Sequence, residues 1–270
     1  MWHGSRRRSS AASRGTDQER RSMSVLTLGL GSLFVFLAAI VRGYSGFGFS
    51  LLVITSLSLL MAPASFIPSI FMLEIAASLH LLPGIYEDIH WRSLAPLIIG
   101  CAIGTPLGVW LLANVPAPPM QIAMAIFVLI ATYLLWQGFA LKTMPGAMAS
   151  GAVGAGSGLA NGAFGIGGPP AILFYFASPA GNVAGRASLI AYFLMTDLIG
   201  LAFLSREALI TWNTLYLALI FLPTLILGVW LGARSFRGAD PVTFRKCVLV
   251  LLAVLAVLSA AKGIAAYWSN

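Results

Sequence analysis

Long apolar runs alternate along this chain with short polar or Gly/Pro breaks, and the runs number about ten. Judged against the roughly 20 residues a helix needs to cross a bilayer, those of the first half are Val25–Val41, Phe47–Met61, Phe66–Leu82, Leu94–Val115 and Met120–Leu141. The second half has Ala147–Ala160, Ala171–Ala177, Ala187–Leu204, Leu215–Ala233 and Cys247–Trp268. Proline ends many of them, at Pro63, Pro83, Pro116, Pro145 and Pro179, because it removes an N–H donor and cannot continue a helix. The pattern predicts an all-α polytopic membrane protein of about 8–10 transmembrane or half-membrane helices.

The second half echoes the first. Arg42-Gly43-Tyr44-Ser45-Gly46-Phe47-Gly48-Phe49-Ser50 returns, 119 residues on, as Asn161-Gly162-Ala163-Phe164-Gly165-Ile166-Gly167-Gly168-Pro169, with three glycines in one register. Gly108-Val109-Trp110-Leu111 returns as Gly228-Val229-Trp230-Leu231, Trp91 as Trp212, and Gly138 as Gly263. This divides the chain into a tail (1–22), a first repeat (23–145) and a second repeat (146–270), the repeats forming one membrane domain. Arg234, Arg237, Arg245 and Lys246 cluster in one loop whose first-half counterpart, Asn114–Pro119, is uncharged. Positive loops face the cytoplasm, so the asymmetry favours inverted repeats, as does an odd number of segments per half. Placing Arg92, Lys142, Arg186 and the Arg234–Lys246 loop inside puts both termini outside, which the Arg-rich N-terminal tail contradicts unless Met23 is the start. Internal repeats of this kind are a common build of secondary transporters, with the site where the repeats meet.

Composition agrees: 59% of the 270 residues are hydrophobic and 9% charged, with mean hydropathy +0.92, where soluble domains carry about 25% charge. Half of the net charge of +8 lies in the tail, where six arginines face Asp17 and Glu19. That placement argues against nucleic acid as a partner. The tail has the composition of a disordered segment; it is either a cytoplasmic anchor or a stretch upstream of a true start at Met23. Cys101 and Cys247 stand alone in apolar runs, with no disulfide framework. A phosphate-binding Gly-x-x-x-x-Gly-Lys-Ser/Thr loop is absent from the sequence, so no ATP coupling is expected within the chain, nor any cofactor or metal.

The candidate chemistry lies at the two glycine motifs. Broken backbone inside a bilayer is tolerable only where protein or a polar cavity satisfies it. A helix N-terminus offers unpaired N–H groups and partial positive charge, which suits an anion. The candidate substrate-binding residues are Arg42, Gly43, Ser45, Gly46, Gly48 and Ser50 in the first motif. In the second they are Asn161, Gly162, Gly165, Gly167, Gly168 and Pro169. Arg42, aligned with Asn161, either binds an oxyanion bidentately or snorkels at a helix end. Glu74 and Asp197 are acids within apolar runs, 123 residues apart. Such carboxylates are costly and often functional, so both are proton-coupling candidates, a structural carboxyl being the rival reading. Gly151, Gly154, Gly156 and Gly158 read as helix-packing residues, Arg186 as a cytoplasmic anchor, and His80 as a packing or interface residue.

The duplicated Gly-x-x-Gly-x-Gly core, the Gly167-Gly168-Pro169-Pro170 tail and the two-half layout from Val25 to Trp268 resemble the TauE/SafE sulfite exporters, also described as anion permeases. The first copy departs from the pattern, with Phe49-Ser50 where the second has Gly168-Pro169. The resemblance implies a permease or exporter, not an enzyme, for a small anion such as sulfite, a sulfonate or an organic acid. It implies a multi-pass protein of the bacterial inner membrane whose partners are the anion and the lipid bilayer, with a homo-oligomer allowed. A passive anion channel shares the same site physics. A membrane-embedded transferase would have only Glu87-Asp88-Ile89-His90 as a polar cluster.

Overall fold

The computed structural model describes residues 25–137, 143–177, 182–235 and 241–268. The Arg-rich tail, Met23, Gly138, Lys142, Arg237 and the Ser178-Pro179 break lie outside them. The described residues form ten α-helices and no strand, as a bilayer demands of a chain that must satisfy its own backbone. They are α1 (Val25–Ser45), α2 (Phe49–Leu57), α3 (Pro63–Leu81), α4 (Trp91–Asn114) and α5 (Ala117–Gln137). The second half continues with α6 (Ala147–Phe164), α7 (Gly168–Ala177), α8 (Asn182–Arg206), α9 (Trp212–Ser235) and α10 (Pro241–Trp268). Six of these, α1, α3, α4, α5, α8 and α9, are long and apolar enough to cross a membrane.

Several helices start before their apolar runs. Pro63, Trp91, Ala117-Pro118-Pro119 and Pro241 each fall in a first turn, where the N–H has no intrahelical partner and proline costs little. α1 likewise runs through Arg42 and Gly43 to Ser45. The second element in each half is short, and in the first half the interruption before it is a reversal. Beside Gly31 stand Phe221 of α9 and, at 3.4 Å, Leu57 at the end of α2, while Val41 near the end of α1 stands beside Gly48. α2 therefore folds back along α1. At its far end the Ser58 carbonyl accepts from Gln121 Nε2 (3.1 Å) and Lys262 Nζ (2.9 Å), and the Ser58 hydroxyl meets that of Ser259 at 2.9 Å. A cation and an amide thus close the C-terminal end of α2, where the helix dipole is negative.

Glycine decides how the long helices pack. The most extensive interface joins α4 to α6. Gly100, Gly104 and Gly108 face the backbone of Gly151, Ala155 and Leu159, while Gly154, Gly158 and Gly162 face Leu97, Cys101 and Thr105. Both series advance together, so the helices run parallel in backbone contact, as small residues at four-residue spacing permit. The α9–α1 pair is built alike: Gly228 and Gly232 lie against Phe36 and Ile40, and Gly43 lies against Val229 and Ala233. α3 and α8 run the other way, since Phe71 packs on Gly200 while Glu74, further along α3, faces Asp197, earlier on α8.

Candidate functional site: a buried polar centre between two glycine turns

α1 ends at Ser45 and α6 at Phe164, and the next residue in each case is a glycine in the left-handed region, Gly46 at φ 81° and Gly165 at φ 69°. A side chain resists that conformation. Gly165 N donates to Asn161 O (2.8 Å) and Gly46 N to Arg42 O (2.7 Å), so both helices close with the same C-terminal hydrogen bond. In the first turn Gly48 is also left-handed, at φ 90°. In the second, Gly167 is drawn back onto α6: its N–H donates to Asn161 Oδ1 (3.2 Å) and its carbonyl accepts from Ser157 Oγ.

The first turn carries an ion pair. Arg42 is fully buried and Glu74 is 1% exposed, with Nη1 2.7 Å from Glu74 Oε2. The other carboxylate oxygen, Oε1, accepts the Ser50 N–H (3.1 Å) and the Ser50 hydroxyl (2.7 Å). Ser50 stands in the first turn of α2, so the anion at this helix N-terminus is the chain's own carboxylate. Arg42 Nη2 donates to Ser78 Oγ at 2.7 Å, its Nε is buried without a hydrogen-bond partner among the described residues, and its guanidinium lies 5.3 Å from the centre of the Phe193 ring. Glu74 is seven residues, about 10 Å, from the end of α3 and further from its start, so the pair is well inside the helix layer.

The second turn repeats the arrangement without the cation. Asn161 Nδ2 donates to Asp197 Oδ1 (3.4 Å) and to the Thr196 carbonyl (3.3 Å). Asp197 is buried, its Oδ2 has no hydrogen-bond partner among the described residues, and it feels the charges of Glu74 and Arg42. Residues 42 and 161 thus bind acids on the third helix of their own halves. Phe193 links the two turns: a Cβ on Gly168 would stand 3.5 Å from the ring over which Arg42 lies.

The structure therefore brings together Arg42, Ser50, Glu74, Gly46, Asn161, Gly167, Gly168 and Asp197. Gly165 abuts Ile54 of α2 and Ile67 of α3. Gly43 and Gly162 are inside helices and face α9 and α4. Pro169 and Pro170 occupy the first turn of α7, so neither offers that end an N–H. Ser45 is the last residue of α1. Arg186, expected as an anchor, has its side chain over Gly46, with Cγ 2.9 Å and Nε 3.0 Å from where a Cβ would be, and its charge acts on Arg42. Ser78 and Phe193 were not anticipated, although each lies four residues from an acid, Glu74 or Asp197, and so shares its helix face. His80 is exposed near the end of α3. His90 belongs to a surface turn that caps α4, where its Nδ1 meets Ser93 Oγ at 2.8 Å and its N–H donates to Ser188 Oγ at 2.9 Å.

Comparison with known proteins gives these features a context. A probable sulfite/organosulfonate exporter TauE from Cupriavidus necator is 28% identical over 234 residues, covering 83% of this chain and 88% of the relative. No solved structure matches. The sequence pattern of the family described as Sulfite exporter TauE/SafE matches residues 32–259, a span that contains both glycine turns and both acids. The chain is thus a multi-pass membrane protein, of the plasma membrane in bacteria, and it belongs to the TauE/SafE family of sulfite exporters, which are transporters and not enzymes.

Proposed function

We propose that the chain is a secondary transporter of a small oxyanion of the sulfite and sulfonate class, bound at the centre formed by Arg42, Ser50 and the two glycine turns. One observation carries the reading: a buried guanidinium and the first turn of α2 converge on one point, and what they hold there is an anion. That anion is a carboxylate of the chain, but the same donors suit a sulfonate or sulfite oxygen. The relative's name supports the substrate class and an outward direction. In this reading Arg42 and Ser50 are direct ligands. Gly46, Gly48, Gly165, Gly167 and Gly168 shape the backbone around the anion, with Ser45, Asn161 and Pro169 beside it, and Gly43 and Gly162 seat the helix ends. Glu74 and Asp197 are the protonatable pair.

The two halves, 23–145 and 146–270, act in this proposal as inverted repeats that move against each other around the site. Three packing relations support it. α1 runs parallel to α9, α4 runs parallel to α6, and the corresponding helices α3 and α8 are antiparallel. A two-fold axis in the membrane plane produces such relations.

Proteoliposomes loaded with sulfite or methanesulfonate test the function. Saturable efflux that responds to an imposed pH gradient and is lost in Arg42→Met supports a carrier at this site. Flux that is non-saturating marks a channel. No flux of either anion in the wild type removes the proposal.

A further inference from the structure

We propose that Glu74 is a tethered competitor for the transported anion, and that it leaves Arg42 only as the neutral acid, so that each anion bound brings one proton with it. This rests on the anion-site reading above and adds to it the identity of the displaced group and the stoichiometry.

The argument starts from occupancy. Arg42 Nη1 and the Ser50 N–H and hydroxyl are the donors expected to bind an oxyanion, and the Glu74 carboxylate already engages all three. An incoming anion must displace it or bind elsewhere. The donor set also exceeds what a carboxylate uses, since Arg42 Nε is buried without a hydrogen-bond partner among the described residues. A third oxygen, which sulfite and sulfonates have and a carboxylate lacks, gives that N–H something to bind.

Charge then sets what must accompany the exchange. Among the described residues, the charged groups facing the centre are Arg42 of α1, Glu74 of α3, and Arg186 and Asp197 of α8, with the Cys101 thiol of α4 next to Asp197 and the Tyr192 hydroxyl of α8 next to that thiol. α2 and α6 contribute no titratable side chain. An anion that takes Arg42 leaves the Glu74 carboxylate in the buried centre without its ion-pair partner. A carboxylate stripped of its cation inside a bilayer is far more costly than a carboxylic acid. The exchange balances when a solvent proton bonds to a Glu74 oxygen, the Arg42–Glu74 ion pair opens and the Arg42–anion pair forms. Charge in the centre is unchanged, and one anion and one proton have entered.

Asp197 is the alternative proton acceptor. Among the described residues it has no ion-pair partner, is held by Asn161 instead, and has one oxygen without a hydrogen bond. Yet displacement from Arg42 by the anion befalls Glu74, so the proton belongs on Glu74.

Isothermal titration of the purified full chain decides this, with methanesulfonate and with sulfite held at a pH where it is a monoanion, in two buffers of different ionisation enthalpy. The wild type is expected to take up one proton per anion bound. Glu74→Gln, which keeps the shape and removes the charge, should take up none. If the ion pair is open less than about a tenth of the time, this variant should also bind about tenfold tighter or more at neutral pH. Its thermal stability should rise more on adding anion than that of the wild type. Wild-type binding without proton uptake overturns the proposal and needs no variant to fold. Uptake that vanishes in Asp197→Asn but persists in Glu74→Gln also overturns it, placing the proton on the other carboxylate. If neither anion binds the wild type or Glu74→Gln, the anion-site reading itself falls, a different result from binding without a proton.

Discussion

Two glycines on one helix, two residues apart, should respond oppositely to the same methyl group. A Cβ at Gly158 would stand 2.7 Å from Cys101 Cα and nearer still to its carbonyl oxygen, whereas a Cβ at Gly156 meets nothing within 4 Å. Ordinary contact begins near 3.4 Å, so Gly158→Ala is at least about 0.7 Å short of room against rigid backbone. α6 cannot relieve this by a rotamer change; it must move away from α4 and loosen the flanking contacts at Gly154 and Gly162. Overpacking of that kind costs about 1–3 kcal/mol. Gly156 is exposed, and Gly156→Ala should stay within about 0.5 kcal/mol of the wild type. Reversible unfolding in mixed micelles by an added denaturing detergent measures both, with helical circular dichroism as the signal. The reasoning fails if Gly158→Ala matches the wild type, or if the two variants lose stability equally.

The ion pair should show strong coupling. Arg42→Met and Glu74→Gln each strand a buried partner and should cost about 3–5 kcal/mol, while the double variant should cost less than the sum, measured by the same unfolding assay; simple additivity would mean the two side chains do not act as a pair. Asn161→Ala leaves both the Gly167 N–H and Asp197 Oδ1 without this partner and should destabilise by about 1–3 kcal/mol for each orphaned group, with hydrogen exchange rising first at the second glycine turn. Lys262→Met removes the ammonium from the Ser58 carbonyl; a loss of about 1–2 kcal/mol is expected, and protection should fall at the end of α2 while the α4–α6 interface is unaffected.

The number of helices and the place of both turns were legible because hydrophobicity and glycine/proline punctuation are local signals. Helix starts were misplaced by a few residues at Pro63, Trp91 and Pro241, where the first turn tolerates residues that interrupt an apolar run. The pairing of Arg42 with Glu74 across 31 intervening positions was not legible, because it depends on α2 folding back along α1. A four-residue spacing search around each acid would have found Ser78 and Phe193. Gly43 and Gly46 look alike in sequence, yet one is an interior packing residue and the other a left-handed terminus. Only the partner helix distinguishes them.

That difference between neighbouring positions explains how the centre is held. In an α-helix successive side chains point about 100° apart, so Gly43 can face α9 while Arg42 faces α3, and Gly162 can face α4 while Asn161 faces α8. Each first helix is thereby pinned by glycine to the fourth helix of the other half, while its polar residue binds the third helix of its own half. A methyl at Gly43 would stand 2.9 Å from Ala233 N and nearer still to Val229 O, and the resulting shift of α1 would carry Arg42 with it. Gly43→Ala should therefore weaken anion binding without touching the anion, and it should do so in proportion to its loss of stability. Gly29→Ala, on the same helix but with open space around it, should alter neither. Equal effects of the two substitutions on binding would mean that the glycine contact with α9 does not position Arg42.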